Sequence, residues 1–330
     1  MADHAIGHAA TAGRPGMKFR LDGWGTAAVV ALAWVALVAI SAINRADFIS
    51  HQTVLAVTFT MSIVGVLAVG QALVGISGGF LDLSQPTSLI LTALVASRLL
   101  AVGLDPILVV PITLAAGAAW GLLNALIIVY GKLNPVIVTL ATNFIGLAAL
   151  FLLFAIAEAP IDSAFRAFGR GSFLGLPNIW WPMVALVLIV GFLLPRTRYG
   201  RHAIAVGGSR FAAQARGISL RKTRFAIFIA SGLCAAIAGL LFAASSGPFT
   251  PSSGTVYLLP VIAASILAGV SLGGGRGNIW LILLSVGFLS TVPTALVFFG
   301  LSSDWQAIFQ GVILVVAVAI DGYREKWVAR

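Results

Sequence analysis

The chain has 330 residues, 60% of them hydrophobic and 9% charged, with a mean hydropathy of +1.05. Soluble domains carry about 25% charged residues, so a soluble fold is excluded for want of polar surface. The formal net charge of +10 would suggest a nucleic-acid partner in a soluble protein; here the cations sit in loops beside apolar runs, the pattern of membrane orientation, and no nucleic acid is expected.

The apolar runs are long and continuous, as at 27–43 and 312–320. A transmembrane barrel would instead alternate over segments of about ten residues. The fold class read from this is all-α: a polytopic helical membrane protein with about ten spans, surrounded by lipid bilayer.

In chain order, residues 1–23 read as a polar cytoplasmic tail. The apolar run that follows is longer than a secretory core of about 7–15 residues, and no convincing A-x-A site comes after it, so it is read as a retained first span. Spans are predicted at 24–43, 54–76, 86–100, 107–130, 135–157, 180–194, 225–245, 257–270, 279–299 and 305–320. They form one transmembrane domain over 24–320, with a cytoplasmic tail over 321–330. The third, sixth and eighth are short for a hydrocarbon core of about 30 Å. Short spans interrupted by Gly or Pro predict broken helices lining a cavity, because free backbone groups are tolerated in a membrane only there.

With the N-terminus inside, sixteen of the twenty Lys and Arg residues fall in inner segments, and only Arg45, Arg98, Arg166 and Arg170 lie outside. Both termini are therefore predicted to be cytoplasmic. The longest outer connection, 158–179, has room for a short interfacial helix; an external docking role and an ordinary solvated loop fit it equally. Cys234 lies in an apolar run and reads as packing. His4, His8, His51 and His202 are scattered without metal-ligand spacing, so no metal is expected. A faint repeat pairs LVGISGGF (73–80) with LAGVSLGGG (267–275), as in duplicated transporter halves.

Two segments carry candidate path residues. In SGGFLDLS (77–84), Gly78 and Gly79 permit unusual backbone. Asp82 is the acid best placed within the membrane, where an ionisable group marks function by default. Asp82 with Ser84 and then Pro86 also reads as a helix start, so Asp82 is expected to cap the third span at a break bordering the path. On the fifth span, Thr142 lies between Thr139 and Asn143, and the latter two, four residues apart, share a helical face. That face fits either a path for a neutral polar solute or interhelical hydrogen bonding.

The polar island over 196–224, set between apolar runs, reads as an amphipathic segment presented to another protein. Glycines 273–275 and 277 form a tight cytoplasmic turn. No G-x-x-x-x-G-K-[ST] sequence occurs, so the chain is not expected to hydrolyse ATP by that route. The chain also lacks the buried acid and histidine clusters of proton relays, and it carries neither a selectivity filter nor a nucleophile–base–acid set.

Four segments in this order, SGGFLDLS, LNPVIVTLAT (133–142), TRYGRHAIAVGGSRFAAQARGISL (197–220) and ILAGVSLGGGRGN (266–278), resemble the permease subunits of ribose-type ABC sugar importers over about 54–320. The resemblance implies a transport subunit rather than an enzyme, with two such subunits (a homodimer or pseudo-dimer) and an external solute-binding protein. It also implies cytoplasmic ATPase subunits that use ATP and Mg, with no cofactor bound by this chain. Solute would move inward by ATP-driven alternating access. It further implies that Gly208, Ser209, Arg210, Phe211, Ala212, Ala213, Arg216 and Gly217 form a coupling helix seated in the ATPase. Two departures stand out. Phe80 and Leu81 replace a single apolar residue before Asp-Leu-Ser, and Gln85-Pro86 stands where Val-Gly is frequent. Branched-chain amino-acid permeases share the coupling pattern and are the main alternative, followed by nucleoside permeases; an ion-coupled carrier is the alternative from another class.

Overall fold

The computed structural model describes residues 19–78, 81–154 and 164–328. Its helices in chain order are α1 (Phe19–Asn44), α2 (His51–Ile76), α3 (Gln85–Ala101), α4 (Pro106–Gly131), α5 (Pro135–Leu153), α6 (Ala164–Arg170), α7 (Trp180–Arg196), α8 (Arg198–Gly208), α9 (Arg210–Ala215), α10 (Leu220–Ser245), α11 (Leu258–Leu267), α12 (Ile282–Phe298) and α13 (Ser303–Val328). The strands β1 (Ser172–Phe173) and β2 (Leu176–Pro177) form a small antiparallel hairpin in the connection between α6 and α7.

Each of the ten predicted spans falls on a helix. Among the described residues, seven helices are long and apolar enough to cross a membrane, and α7 with α8, bent by 73°, makes an eighth. The remaining two are short: α3 has 17 residues, and α11 has 10 behind a 3₁₀ turn at Pro251–Tyr257. At a rise of 1.5 Å per residue, 17 residues span only about 26 Å. The terminal elements extend further than the sequence suggests. α1 already begins at Phe19, and α13 runs through the predicted tail to Val328.

Local chemistry sets the helix starts. Asp105 accepts from Ile107 N at 2.8 Å and Pro106 opens α4; Asn134 accepts from Val136 N at 2.9 Å and Pro135 opens α5. Each pair satisfies one orphan donor and places proline where no N–H is needed.

The core is built around α2, whose most apolar 18-residue stretch is 72% buried, against 11% for those of the peripheral spans α1 and α13. α2 is surrounded by α7, α10, α11 and α12. The tightest pairing is α10 on α4. There the backbones touch: a Cβ at Gly117 would strike the Gly232 carbonyl, one at Gly232 the Gly117 carbonyl, and one at Gly121 the Phe228 carbonyl. Small residues allow such approaches where no hydrophobic force separates helix from lipid. α1 is tied to α12 by Trp34 Nε1, which donates to Thr291 Oγ1 at 2.9 Å.

Candidate functional site: a buried polar network beside broken helices

Residues 81–84, ahead of α3, lie in the protein core rather than in water. Their backbone groups must be satisfied by protein, and side chains from α2 and α5 do this. Asp82 N donates to Gln71 Oε1 of α2 at 3.3 Å, and Leu83 N donates to Thr139 Oγ1 of α5 at 3.1 Å.

Asp82 is 5% exposed. Its Oδ1 accepts from Ser84 N at 3.0 Å and from Ser84 Oγ at 2.7 Å, and its Oδ2 accepts from Ser231 Oγ of α10 at 2.7 Å. The capping expected of Asp82 is thereby refined. The N-cap position of α3 is Ser84, whose own side chain makes no capping bond. Asp82 instead closes a turn onto Ser84 two residues on and ties that turn to α10.

The bonds continue on both sides. Ser231 Oγ accepts from Gln85 Nε2 at 3.1 Å. Ser84 Oγ accepts from Asn124 Nδ2 of α4 at 3.0 Å, and Asn124 Oδ1 accepts from Thr142 Oγ1 at 2.7 Å. Thr87 Oγ1 donates to Asn143 Oδ1 at 2.8 Å. Thr139, Thr142 and Asn143 thus form one buried face of α5, and in this conformation that face is spent on interhelical hydrogen bonds. Gly78, half-buried, ends the turn after α2; Gly79 lies outside the described residues.

Sequence reasoning missed Gln71, Gln85, Thr87, Asn124 and Ser231. Gln71 and Asn124 were findable, as lone amides in apolar helices that must be paired when buried. Ser231 carries no such signal, because serine occurs throughout the spans.

Two atoms of the network have no partner: Gln71 Nε2 and Gln85 Oε1, on residues 1% and 2% exposed. Both residues line a cleft with Asp82, covered by Tyr257, Leu258, Val261 and Ile262 at the start of α11.

The 196–224 island forms two helices rather than one. Gly200 allows the bend into α8, since a Cβ there would meet the Leu194 carbonyl. Ser209 then caps α9, accepting from Ala212 N at 3.3 Å. Gly217, at φ +75°, ends it; Ile218 N donates to Ala213 O at 3.0 Å and Gly217 N to Gln214 O at 2.8 Å, a left-handed glycine stop. Arg210, Ala212, Arg216 and Gly208 face outward, and Phe211 is 84% exposed. Ala213 faces the other way and is buried in the permease itself.

The two arms of the sequence repeat meet beneath this segment. Gly275 N donates to Ile76 O at 2.8 Å. A Cβ at Gly207 would strike that same Ile76 carbonyl, and one at Gly275 would lie 2.6 Å from Gly208 Cα. Asp321 Oδ2 of α13 accepts from Leu272 N of the same turn at 2.9 Å. α8, the end of α2, the turn after α11 and α13 therefore share one junction.

Buried polar groups beside broken helices, with an outward-facing helical appendage below them, define a membrane transport permease. The chain belongs to the family described as branched-chain amino acid transport system / permease component, which matches residues 53–318. It is 34% identical over 289 residues to the Ribose import permease protein RbsC of Bacillus subtilis, covering 86% of this chain and 89% of the relative. It is 30% identical over 301 residues to the Escherichia coli K12 protein of the same name, covering 89% and 93%. It is 34% identical over 316 residues to the L-arabinose transport system permease protein AraH of Escherichia coli K12, covering 92% of both chains. No solved structure matches significantly.

Proposed function

We propose that this chain is the membrane-spanning subunit of a bacterial ABC importer that moves a monosaccharide inward by ATP-driven alternating access. The observation that carries this reading is the likeness, over about nine-tenths of both chains, to permeases named for ribose and for L-arabinose. In this reading the chain lies in the cytoplasmic membrane with both termini inside and pairs with a second permease copy. It receives solute from an external binding protein and carries no cofactor. ATP and Mg are used by separate cytoplasmic ATPase subunits.

α9 is the element gripped by the ATPase, with Phe211 as the anchor: an exposed aromatic on a basic helix fits an apolar pocket with an acidic rim. Gly207 and Gly275 pass its movement to Ile76 of α2 and to the turn after α11. Those helices flank the network that holds Asp82, Ser84, Thr139 and Asn143 beside the path.

A branched-chain amino-acid substrate is the second reading, favoured by the family's own description. Co-expression with an ATPase and a binding protein, purification in mild detergent and reconstitution separate the two. The expected outcome is recovery of an ATPase that Phe211→Asp abolishes, and ATP-dependent uptake of a labelled pentose but not of leucine. Leucine uptake would establish the second reading. Solute movement without an ATPase, driven by an ion gradient, would overturn both.

A further inference from the structure

The cleft between α2, α3 and α11 holds two amide groups whose orientations are set by their other ends. Gln71 Oε1 is engaged by Asp82 N, so Nε2 must point away from it as a donor; Gln85 Nε2 is engaged by Ser231 Oγ, so Oε1 is left as an acceptor. The two side chains line the same cleft, with Asp82. The free atoms are of opposite polarity, fully buried, and unpartnered. Buried amide atoms are nearly always paired, and an exception calls for a reason.

We infer that Gln71 Nε2 and Gln85 Oε1 form a hydroxyl-reading pair that engages the transported solute when α11 moves off the cleft. A hydroxyl accepts and donates through a single atom, so one sugar hydroxyl can satisfy both amides. In the present conformation the cleft is shut, with no room for a water molecule under Tyr257 and Val261. The closed state therefore leaves both groups unpaired, and a hydroxylated solute relieves this where an apolar one does not. Discrimination follows, because a site built to bond a hydroxyl rejects the analogue that lacks it far more strongly than an apolar pocket rejects an extra methylene. α11 is the natural mover: it is short, ends at Gly269 in a left-handed stop, and leads into the turn held against Gly207 and Ile76.

This inference rests on the sugar-importer reading, and its test separates the two. The complete complex is reconstituted with the binding protein saturated. Uptake is measured for ribose, arabinose, a hexose and their monodeoxy analogues. Gln71→Glu keeps an acceptor for Asp82 N and replaces the free amide donor with a carboxyl oxygen; Gln85→Met removes the free acceptor together with the donor to Ser231. The wild type is expected to carry at least one monodeoxy analogue about tenfold more slowly than its parent. Each variant is expected to slow the parent by a similar factor while losing the distinction between parent and analogue, with ATPase association unchanged. A purely structural role would slow both solutes equally and keep their ratio. Preservation of the wild-type ratio in Gln71→Glu overturns the inference, whatever happens to Gln85→Met. A wild-type complex that carries neither pentose nor hexose would instead overturn the sugar reading.

Discussion

Ser231 is the residue on which the buried network turns, and alanine there gives a measurable test of it. Its hydroxyl donates to Asp82 Oδ2 at 2.7 Å and accepts from Gln85 Nε2 at 3.1 Å, and the residue is wholly buried. Interhelical hydrogen bonds in membrane proteins average about 0.6 kcal/mol, so two contribute about 1.2 kcal/mol. That average includes partners able to find substitutes. Here the stranded atoms sit on residues 5% and 2% exposed, and an orphaned buried polar atom costs at least about 1 kcal/mol more. Taken together, Ser231→Ala is expected to destabilise the permease by about 3 kcal/mol. The assay is denaturant unfolding of the purified protein in detergent, followed by tryptophan fluorescence. Ser245→Ala is the control: that hydroxyl bonds only to the Leu241 and Phe242 carbonyls of its own helix. Should Ser231→Ala unfold within about 0.5 kcal/mol of wild type, the spread of substitutions that break nothing buried, the network does not hold α3 to α10 and the reasoning fails.

Two further perturbations test other parts of the fold. Gly207→Val puts side-chain atoms into the Ile76 carbonyl and the Gly275 backbone. The complex is expected to retain its ATPase in pull-down and to keep hydrolysing ATP, while losing uptake about tenfold or more. Unchanged uptake would remove the junction from the coupling route. Gly232→Leu drives a bulky side chain against Gly117 at the tightest helix crossing; overpacking of about 1–3 kcal/mol is expected to lower the denaturation midpoint, and an unchanged midpoint would show that α4 and α10 do not pack so closely.

The architecture was largely legible because it follows from one-dimensional chemistry. Long apolar runs must become helices in lipid, since no other open structure satisfies its own backbone. Asp105-Pro106 and Asn134-Pro135 announce their helix starts, and the brevity of the third, sixth and eighth spans reappears as α3, α7 and α11. Ser209 and Gly217 bracket α9 as their residue types suggest. What sequence spacing did not disclose was direction. Ala213 and Ala212 are neighbours of equal size, yet one packs inward and the other faces out, because α8 bends 73° away from α7 before α9 begins.

Residue order alone is enough to specify a bundle of membrane helices with polar residues clustered near residue 82 and a basic appendage after residue 196. Hydrophobic length, caps and charge placement are local properties, and each can be read without knowing its neighbours. Which polar residues meet depends on how the helices pack. Gln71, Asp82, Gln85, Asn124, Thr142 and Ser231 come from five helices and one loop. They converge because a backbone loop buried in the core needs partners wherever helices happen to pass. The same holds for the two repeat arms, whose short resemblance gains physical meaning from the bond between Gly275 N and the Ile76 carbonyl at 2.8 Å. Hydrogen bonds between distant segments are set by packing, and packing is a property of the whole chain.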